Sequence, residues 1–372
     1  MLKKLEKSLK RAVAFLGRWM FSEEFPRREI PRAGELRRVL VIRQDNRLGN
    51  LLLITPLLHA LRLSLPRARI FLIVSDAYPE LFEGSADIDG LILFRKKELL
   101  RYPWRALRFL RRLRREGFDM AVDLSHPHSF SLSSALLARL CGAPHRLGFE
   151  RGDARHYLTL RAARPLGKVH EADAFLLLLD RIGLKGAPGT LRYSVRKDER
   201  SWAVDEIGKL GFRAETDGPL VGIFTGGRGK KRIGIPEYME IARGIEESVP
   251  GRIVFFLGPR ERPRRKDFEQ ASEGRWIVAP ANSLRQFAAL LSVLDVLVTP
   301  DSGPMHLASA IGVPVVALFR EDTAWHYGPR GSQDRILLFT SAVDSAEVAL
   351  AVKRTLEQGP VKKRTPGGRQ PA

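Results

Sequence analysis

Two apolar runs, Val293–Val298 and Val313–Phe319, flank the segment Thr299-Pro-Asp-Ser-Gly-Pro-Met-His-Leu-Ala-Ser-Ala-Ile-Gly312. Runs of this length, rich in Val and Leu and without polar alternation, suit strands covered on both faces, which means a parallel sheet. Parallel neighbours need a crossover, and the intervening residues supply a helix starting near Pro304. The spacing places Asp301 and Ser302 to cap that helix and Gly303 where a ligand can approach the backbone. In an open parallel sheet, ligands sit at the carboxyl ends of strands, where helix N-termini favour anions. An ordinary strand–cap–helix junction would share the outline. Asp, Ser, Gly, Pro and His gathered into one junction favour a binding site.

The same alternation fills the rest of the chain. Strands are predicted at Val39–Arg43, Arg69–Val74, Gly90–Phe94, Met120–Leu124 and His145–Phe149, with helices at Leu51–Leu65, Leu132–Leu140 and Glu171–Leu184. After a polar stretch near residue 198 and a helix Ser201–Leu210, the pattern restarts. It continues through strands Leu220–Phe224 and Arg252–Leu257 and helices Pro236–Ser248 and Leu284–Leu291. Two such halves imply an α/β protein with two Rossmann-like domains facing a central cleft, at 36–198 and 199–357. A length of 372 residues leaves room for both cores.

Charge narrows the partners. A net +21 calls for nucleic acid, an anionic membrane surface or a phosphorylated substrate. No nucleic-acid module is recognisable, so no nucleic acid is expected. Within residues 1–30, Leu2, Leu5, Leu9, Val13, Leu16 and Met20 recur at helical spacing among lysines and arginines. This is the pattern of a helix lying on anionic headgroups, or of one docked on the protein's own body. A second basic segment, Arg95–Arg115, sets a stripe of Leu100, Trp104, Leu107, Leu110 and Leu113 against seven arginines, Arg101, Arg105, Arg108, Arg111, Arg112, Arg114 and Arg115. Arginine forks match phosphate oxygens, either of an acceptor or of lipid. The basic, glycine- and proline-rich tail 358–372 reads as disordered. The lone Cys141 reads as a small core residue, and its solitude excludes a disulfide scaffold.

Four loops follow predicted strands. Arg43-Gln-Asp-Asn-Arg-Leu-Gly-Asn50 precedes a helix and admits an anion or a hydroxyl-rich substrate. Phe224-Thr-Gly-Gly-Arg-Gly-Lys-Lys-Arg232 joins glycine-freed amides to Lys230, Lys231 and Arg232, as phosphate binding needs, although a plain surface turn has the same composition. It lacks the Gly-Lys-Ser/Thr of a Walker loop. Leu257–Arg262 carries Glu261, an acceptor for a ribose or base, or simply a solvated carboxylate. Asp301–His306 is the fourth. No metal-ligand spacing occurs and neither half has a full Gly-x-Gly-x-x-Gly, so no metal and no nicotinamide cofactor are expected.

These loops, in this order, resemble the heptosyltransferases, glycosyltransferase family 9, of the ADP-heptose:lipopolysaccharide type. The resemblance rests on Leu48-Gly-Asn-Leu-Leu-Leu-Ile-Thr-Pro-Leu-Leu58, Phe118–Leu124 with Ser134–Arg139, His170-Glu171, Pro300–Ala308 and Trp325–Pro329, and runs from about Arg38 to Arg354. It implies a GT-B fold and an inverting, metal-independent glycosyltransferase that works at the cytoplasmic face of the bacterial inner membrane as a peripheral protein. The donor would be a nucleotide sugar, an ADP-sugar carrying heptose. Thr225, Gly226, Gly227, Lys230, Arg232, Glu261, Asp301, Ser302, Gly303, Pro304, Met305 and His306 would bind it, with Lys231 neutralising the departing diphosphate. Arg47 and Gly49 would meet the acceptor, a lipopolysaccharide core or related glycolipid. The family has Asp after the Leu-Gly of its first motif, whereas this chain has Asn50. An amide is no general base. Asp45 can supply the carboxylate, or Asn50 can orient the acceptor while leaving-group stabilisation carries the rate, or the protein binds nucleotide sugar without transferring it.

Overall fold

The computed structural model describes residues 29–359, apart from 187, 188, 215, 228, 281 and 282. The membrane-surface helix expected in 1–30 and the tail expected in 358–372 therefore fall, almost entirely, outside the described residues. Contacts divide the chain into two units. The first runs up to Asn46 and resumes at Pro56; the second holds Arg47–Thr55 and everything from Gly189 onward.

The first unit is built on a six-stranded parallel sheet: β1 (Arg38–Arg43), β2 (Arg69–Val74), β3 (Gly90–Leu93), β4 (Met120–Asp123), β5 (His145–Phe149) and β6 (Leu160–Ala162). Its order is β3-β2-β1-β4-β5-β6. Between β1 and β2 come α1 (Leu48–Leu52), which belongs to the second unit, and α2 (Thr55–Ser64). Helices α3 (Lys96–Arg101) and α4 (Pro103–Arg115) follow β3, α5 (Leu132–Leu140) follows β4, and α6 (Glu171–Asp180) follows β6. Leu40, Ile42, Ile73 and Ala121 pack with Leu113, Leu137 and Cys141 in one core. Cys141 is the buried core residue the sequence indicates, its Sγ bonded to the Ala138 carbonyl.

The second unit opens with α7 (Lys197–Lys209) and repeats the plan. Its strands are β7 (Leu220–Phe224), β8 (Arg252–Phe256), β9 (Ile277–Ala279), β10 (Val296–Pro300), β11 (Val315–Phe319) and β12 (Arg335–Leu338), in the order β12-β11-β10-β7-β8-β9. Helices α8 (Ile235–Ser248), α9 (Arg265–Ala271), α10 (Leu284–Ser292), α11 (Gly303–Ile311), α12 (Ala324–Tyr327) and α13 (Ser345–Gln358) complete it. Ile241 and Ile245 of α8 and Val348 and Val352 of α13 cover Val221, Ile223, Val296 and Val316. In each sheet the chain moves outward for three strands, then returns to the other side of the first. That reversal defines a switch point, between β1 and β4 in one unit and between β7 and β10 in the other.

Several boundaries differ from expectation. The single helix expected over Leu51–Leu65 is two helices. Pro56 has no N–H for the Leu52 carbonyl, and the Thr55 hydroxyl donates to that carbonyl instead, at 2.7 Å. Val293 and Leu294 end α10 rather than start a strand, so β10 is shifted towards Pro300. The Arg95–Arg115 stripe is broken at Tyr102, and only part of it faces the core: Leu113 is buried while Leu100, Trp104 and Leu107 are exposed.

Candidate functional site

The loops at the β7/β10 switch point are tied together by one ion pair. Lys231, in the turn Gly229–Lys231 after β7, donates its Nζ to the Asp301 carboxylate at the end of β10. The Asp301 side chain is 8% exposed and that of Lys231 37%, so the pair is half-sheltered, with the lysine reachable from solvent. The Lys230 side chain lies outside the described residues.

The capping role expected of Asp301 and Ser302 is not what the structure shows. Ser302 is the N-cap of α11 in extended conformation, but neither it nor Asp301 caps by side chain. Asp301 is turned towards Lys231, and the Ser302 hydroxyl meets the Thr299 hydroxyl at 3.1 Å. The helix start keeps the positive end of its dipole, with no side-chain cap bonded to its first N–H groups. Pro304 occupies the first turn, partly exposed like Gly303.

The glycines serve packing. A Cβ at Gly303 would lie 2.8 Å from the Leu48 Cβ, and one at Gly49 would lie 2.5 Å from the His306 ring. So α1 and α11 cross at two glycines: Leu48 fills the place a Gly303 side chain would take, while Gly303 itself remains partly exposed. His306 is 5% exposed for the same reason: its ring lies on the Gly49 backbone. Gly226 faces the Phe224 ring and the Gly258 backbone, and Gly227 faces the Lys231 carbonyl, so both glycines let the loops after β7 and β8 fold tightly. Thr225 is buried, with its N–H and hydroxyl directed to the Phe256 carbonyl. Met305 is fully buried, its side chain part of the packing beneath the helix start.

Glu261 is not the solvated carboxylate its loop position suggests. It is buried, with a carboxylate oxygen 3.9 Å from the exposed Arg232 guanidinium. Burial, with the Glu261 and Glu237 charges nearby, pushes the Tyr238 phenol up, so that hydroxyl stays neutral. Lys231, Arg232, Glu261, Asp301, Ser302 and the start of α11 thus all stand at the carboxyl ends of β7, β8 and β10.

At the β1/β4 switch point the first unit hides a charge cluster that the sequence reading misses. Arg43, the last residue of β1, is 2% exposed; its guanidinium donates to the Leu124 carbonyl at 2.5 Å and lies 3.2 Å from the fully buried Glu171. It also stacks over the Phe175 ring at 5.0 Å and reaches the Asp45 carboxylate at 3.4 Å. Beside it, burial pushes the Asp123 carboxyl up against the opposing pull of Arg151 and Ser125. His126 stands 3.3 Å from Glu171. The legible signal is an arginine closing an otherwise apolar strand, Val39-Leu-Val-Ile-Arg43: such a charge is buried only with partners.

The two residues weighed for handling the acceptor hydroxyl, Asp45 as base and Asn50 as orienting group, belong to different units. Asp45 is in the first unit, its side chain 23% exposed and its backbone carbonyl holding the Ser75 hydroxyl. Asn50 is the third residue of α1, in the second unit, partly exposed. Arg47 is the exposed N-cap of that helix.

A family model described as "Glycosyltransferase family 9 (heptosyltransferase)" matches residues 106–356. The chain is 28% identical over 247 residues to Lipopolysaccharide heptosyltransferase 2 of Escherichia coli K12, a match covering 60% of this chain and 66% of the relative, just under two thirds of its length. The solved structure of a glycosyl transferase family 9 protein from Veillonella parvula superposes with a TM-score of 0.75 at 22% identity, covering 87% of this chain and 98% of that one. The E. coli ADP-heptose lps heptosyltransferase II structure gives 0.68 at 21% identity, over 86% and 99%. The α/β architecture with two parallel six-stranded sheets is therefore that of the GT-B heptosyltransferases.

Proposed function

We propose that this chain, which belongs to glycosyltransferase family 9 (heptosyltransferase), transfers a heptose from an ADP-sugar to a lipopolysaccharide core or related glycolipid, inverting the anomeric centre. The observation that carries the reading is the Lys231–Asp301 pair at the β7/β10 switch point. It holds a partly exposed cation beside the start of α11, which has no side-chain cap and where a diphosphate oxygen is best received. In the proposed cycle, Lys231 exchanges Asp301 for the diphosphate and neutralises the charge that builds as the glycosidic bond breaks. Arg232, the next residue of the same loop, and Glu261, one loop away, are suited to the phosphate and nucleoside ends respectively.

On the acceptor side, Asp45 is the proposed base. It takes the acceptor hydroxyl's proton while that oxygen attacks opposite the leaving diphosphate. Arg43, itself fixed by Glu171, the Leu124 carbonyl and Phe175, holds the Asp45 carboxylate in position. Asn50, as an amide, fits the orientation of a hydroxyl and not its deprotonation. Its presence also favours a second reading, a nucleotide-sugar-binding protein without turnover, and sugar transfer to any acceptor would exclude that one.

The donor assignment is tested by thermal stabilisation. ADP or an ADP-sugar at a hundredfold excess over its dissociation constant should add about 2.7 kcal/mol to the stability. UDP and GDP at equal concentration should add less. Equal shifts from all three, or none from ADP, would remove the ADP-sugar assignment.

A further inference from the structure

We infer that α4, with the end of α3, is a bilayer-docking face that recognises anionic lipid headgroups. Helix α4 is Pro103-Trp-Arg-Ala-Leu-Arg-Phe-Leu-Arg-Arg-Leu-Arg-Arg115: six arginines in thirteen residues, and no acid. Its inward face is set by Phe109, Leu110 and Leu113, which pack on the core of the first unit, with Phe94 and Phe109 rings 5.9 Å apart. At about 100° per residue, the opposite face carries Trp104, Arg108, Arg111 and Arg115, with Leu107 on its flank. The side chains there are not folded back. Trp104 is 60% exposed and Leu107 49%, and Leu100 at the end of α3 is 65% exposed.

A merely solvated face explains the arginines but not the tryptophan and two leucines among them. Apolar side chains cost free energy in water, about 25 cal/mol per Å² of apolar area. A phosphate-backbone partner would leave them in water as well. An anionic bilayer surface accommodates both classes. The indole and leucines enter the headgroup–acyl boundary, while arginine stems lie along it with their guanidinium heads on lipid phosphates. Tyr102 fits the same arrangement, its ring 5.1 Å from Trp104 and under the guanidinium groups of Arg101 and Arg105. No helix among the described residues is long and apolar enough to cross a membrane. A helix that lies flat on the surface needs no such length.

The docking stands apart from the transfer chemistry, and its test reads lipid binding instead of turnover. Partition of the full chain into phosphatidylglycerol–phosphatidylcholine vesicles is measured by co-sedimentation, with pure phosphatidylcholine vesicles as reference. Two full-length variants are compared: Arg108→Gln/Arg111→Gln/Arg115→Gln and Trp104→Ala/Leu107→Ala. Each basic residue near an anionic surface contributes about fivefold, so the triple variant should lose on the order of a hundredfold in partition. The apolar variant should lose about tenfold or more. Both alter exposed residues, and unchanged thermal melts establish that they fold. The inference is overturned if both variants partition within twofold of the parent chain, or if the parent binds neutral and anionic vesicles equally. It is equally overturned if the triple variant loses affinity for duplex DNA while its vesicle partition is unchanged.

Discussion

Replacing Lys231 by alanine separates a structural role from a catalytic one. In the resting protein the lysine serves Asp301, whose side chain is only 8% exposed. Its removal strands that carboxylate, at about 1–3 kcal/mol for a sheltered charged acceptor left unpaired. The 37% exposure of Lys231 places the cost at the low end, since solvent screens the pair. A loss of about 1 kcal/mol lowers the melting temperature by roughly 2–4 °C in a unit of this size. The catalytic cost is larger. Deleting one preorganised donor to a developing oxyanion typically removes 10²–10³ in turnover, about 2.7–4 kcal/mol. The assay is release of the nucleoside diphosphate under saturating donor, alongside a thermal melt. If the lysine acts mainly on the transition state, kcat falls by about two to three orders of magnitude and donor KM changes less. The double variant Lys231→Ala/Asp301→Asn removes both charges, and it should recover most of the lost stability and none of the turnover. A Lys231→Ala protein whose melt drops while kcat stays within about threefold of the parent would refute the leaving-group role.

Asp45→Asn should cut turnover by about 10²–10⁴ if this carboxylate is the base, and leave the ADP-induced thermal shift in place. Unchanged turnover would transfer the rate enhancement to leaving-group stabilisation. Gly49→Ala places a methyl group 2.5 Å from the His306 ring, which is buried and has little room to turn, so chemical denaturation should show a loss of about 1–3 kcal/mol. A loss below about 0.5 kcal/mol would mean that the crossing of α1 and α11 relaxes freely.

The sheets were readable because parallel strands are covered on both faces. Leu220–Phe224, for instance, is an unbroken apolar run and is buried throughout. The three-residue strands β6 and β9 offer too short a run to recognise, and the edge strand β12 buries none of its four residues fully. Inside the candidate site, each residue's chemistry was legible and its partner was not. Lys231 and Asp301 are seventy positions apart, and nothing local in either loop announces the other. Gly303 carried a true signal of close approach, but a single sequence does not say what approaches. The answer is Leu48. A charge at a strand end usually marks the start of solvent, whereas Arg43 is met by the buried Glu171 and the partly exposed Asp45.

The placement of α1 with the second unit turns the Asp45-or-Asn50 question into one that packing can answer. Asp45 is held by Arg43 and, through its carbonyl, by Ser75, all in the first unit. Asn50 rides on a helix fixed by Gly49 against His306 and by the Thr55 hydroxyl, which accepts the Arg192 N–H at 3.0 Å within the second unit. Displacing α1 through Gly49→Ala therefore acts directly on Asn50, whereas Arg43 and Ser75, which hold Asp45, lie outside that helix. If Asn50 orients the acceptor, turnover falls in Gly49→Ala beyond what the fraction unfolded accounts for. If Asp45 alone handles the acceptor hydroxyl, the folded fraction of Gly49→Ala retains its turnover, and the combined Asp45→Asn/Gly49→Ala protein is no slower per folded molecule than Asp45→Asn.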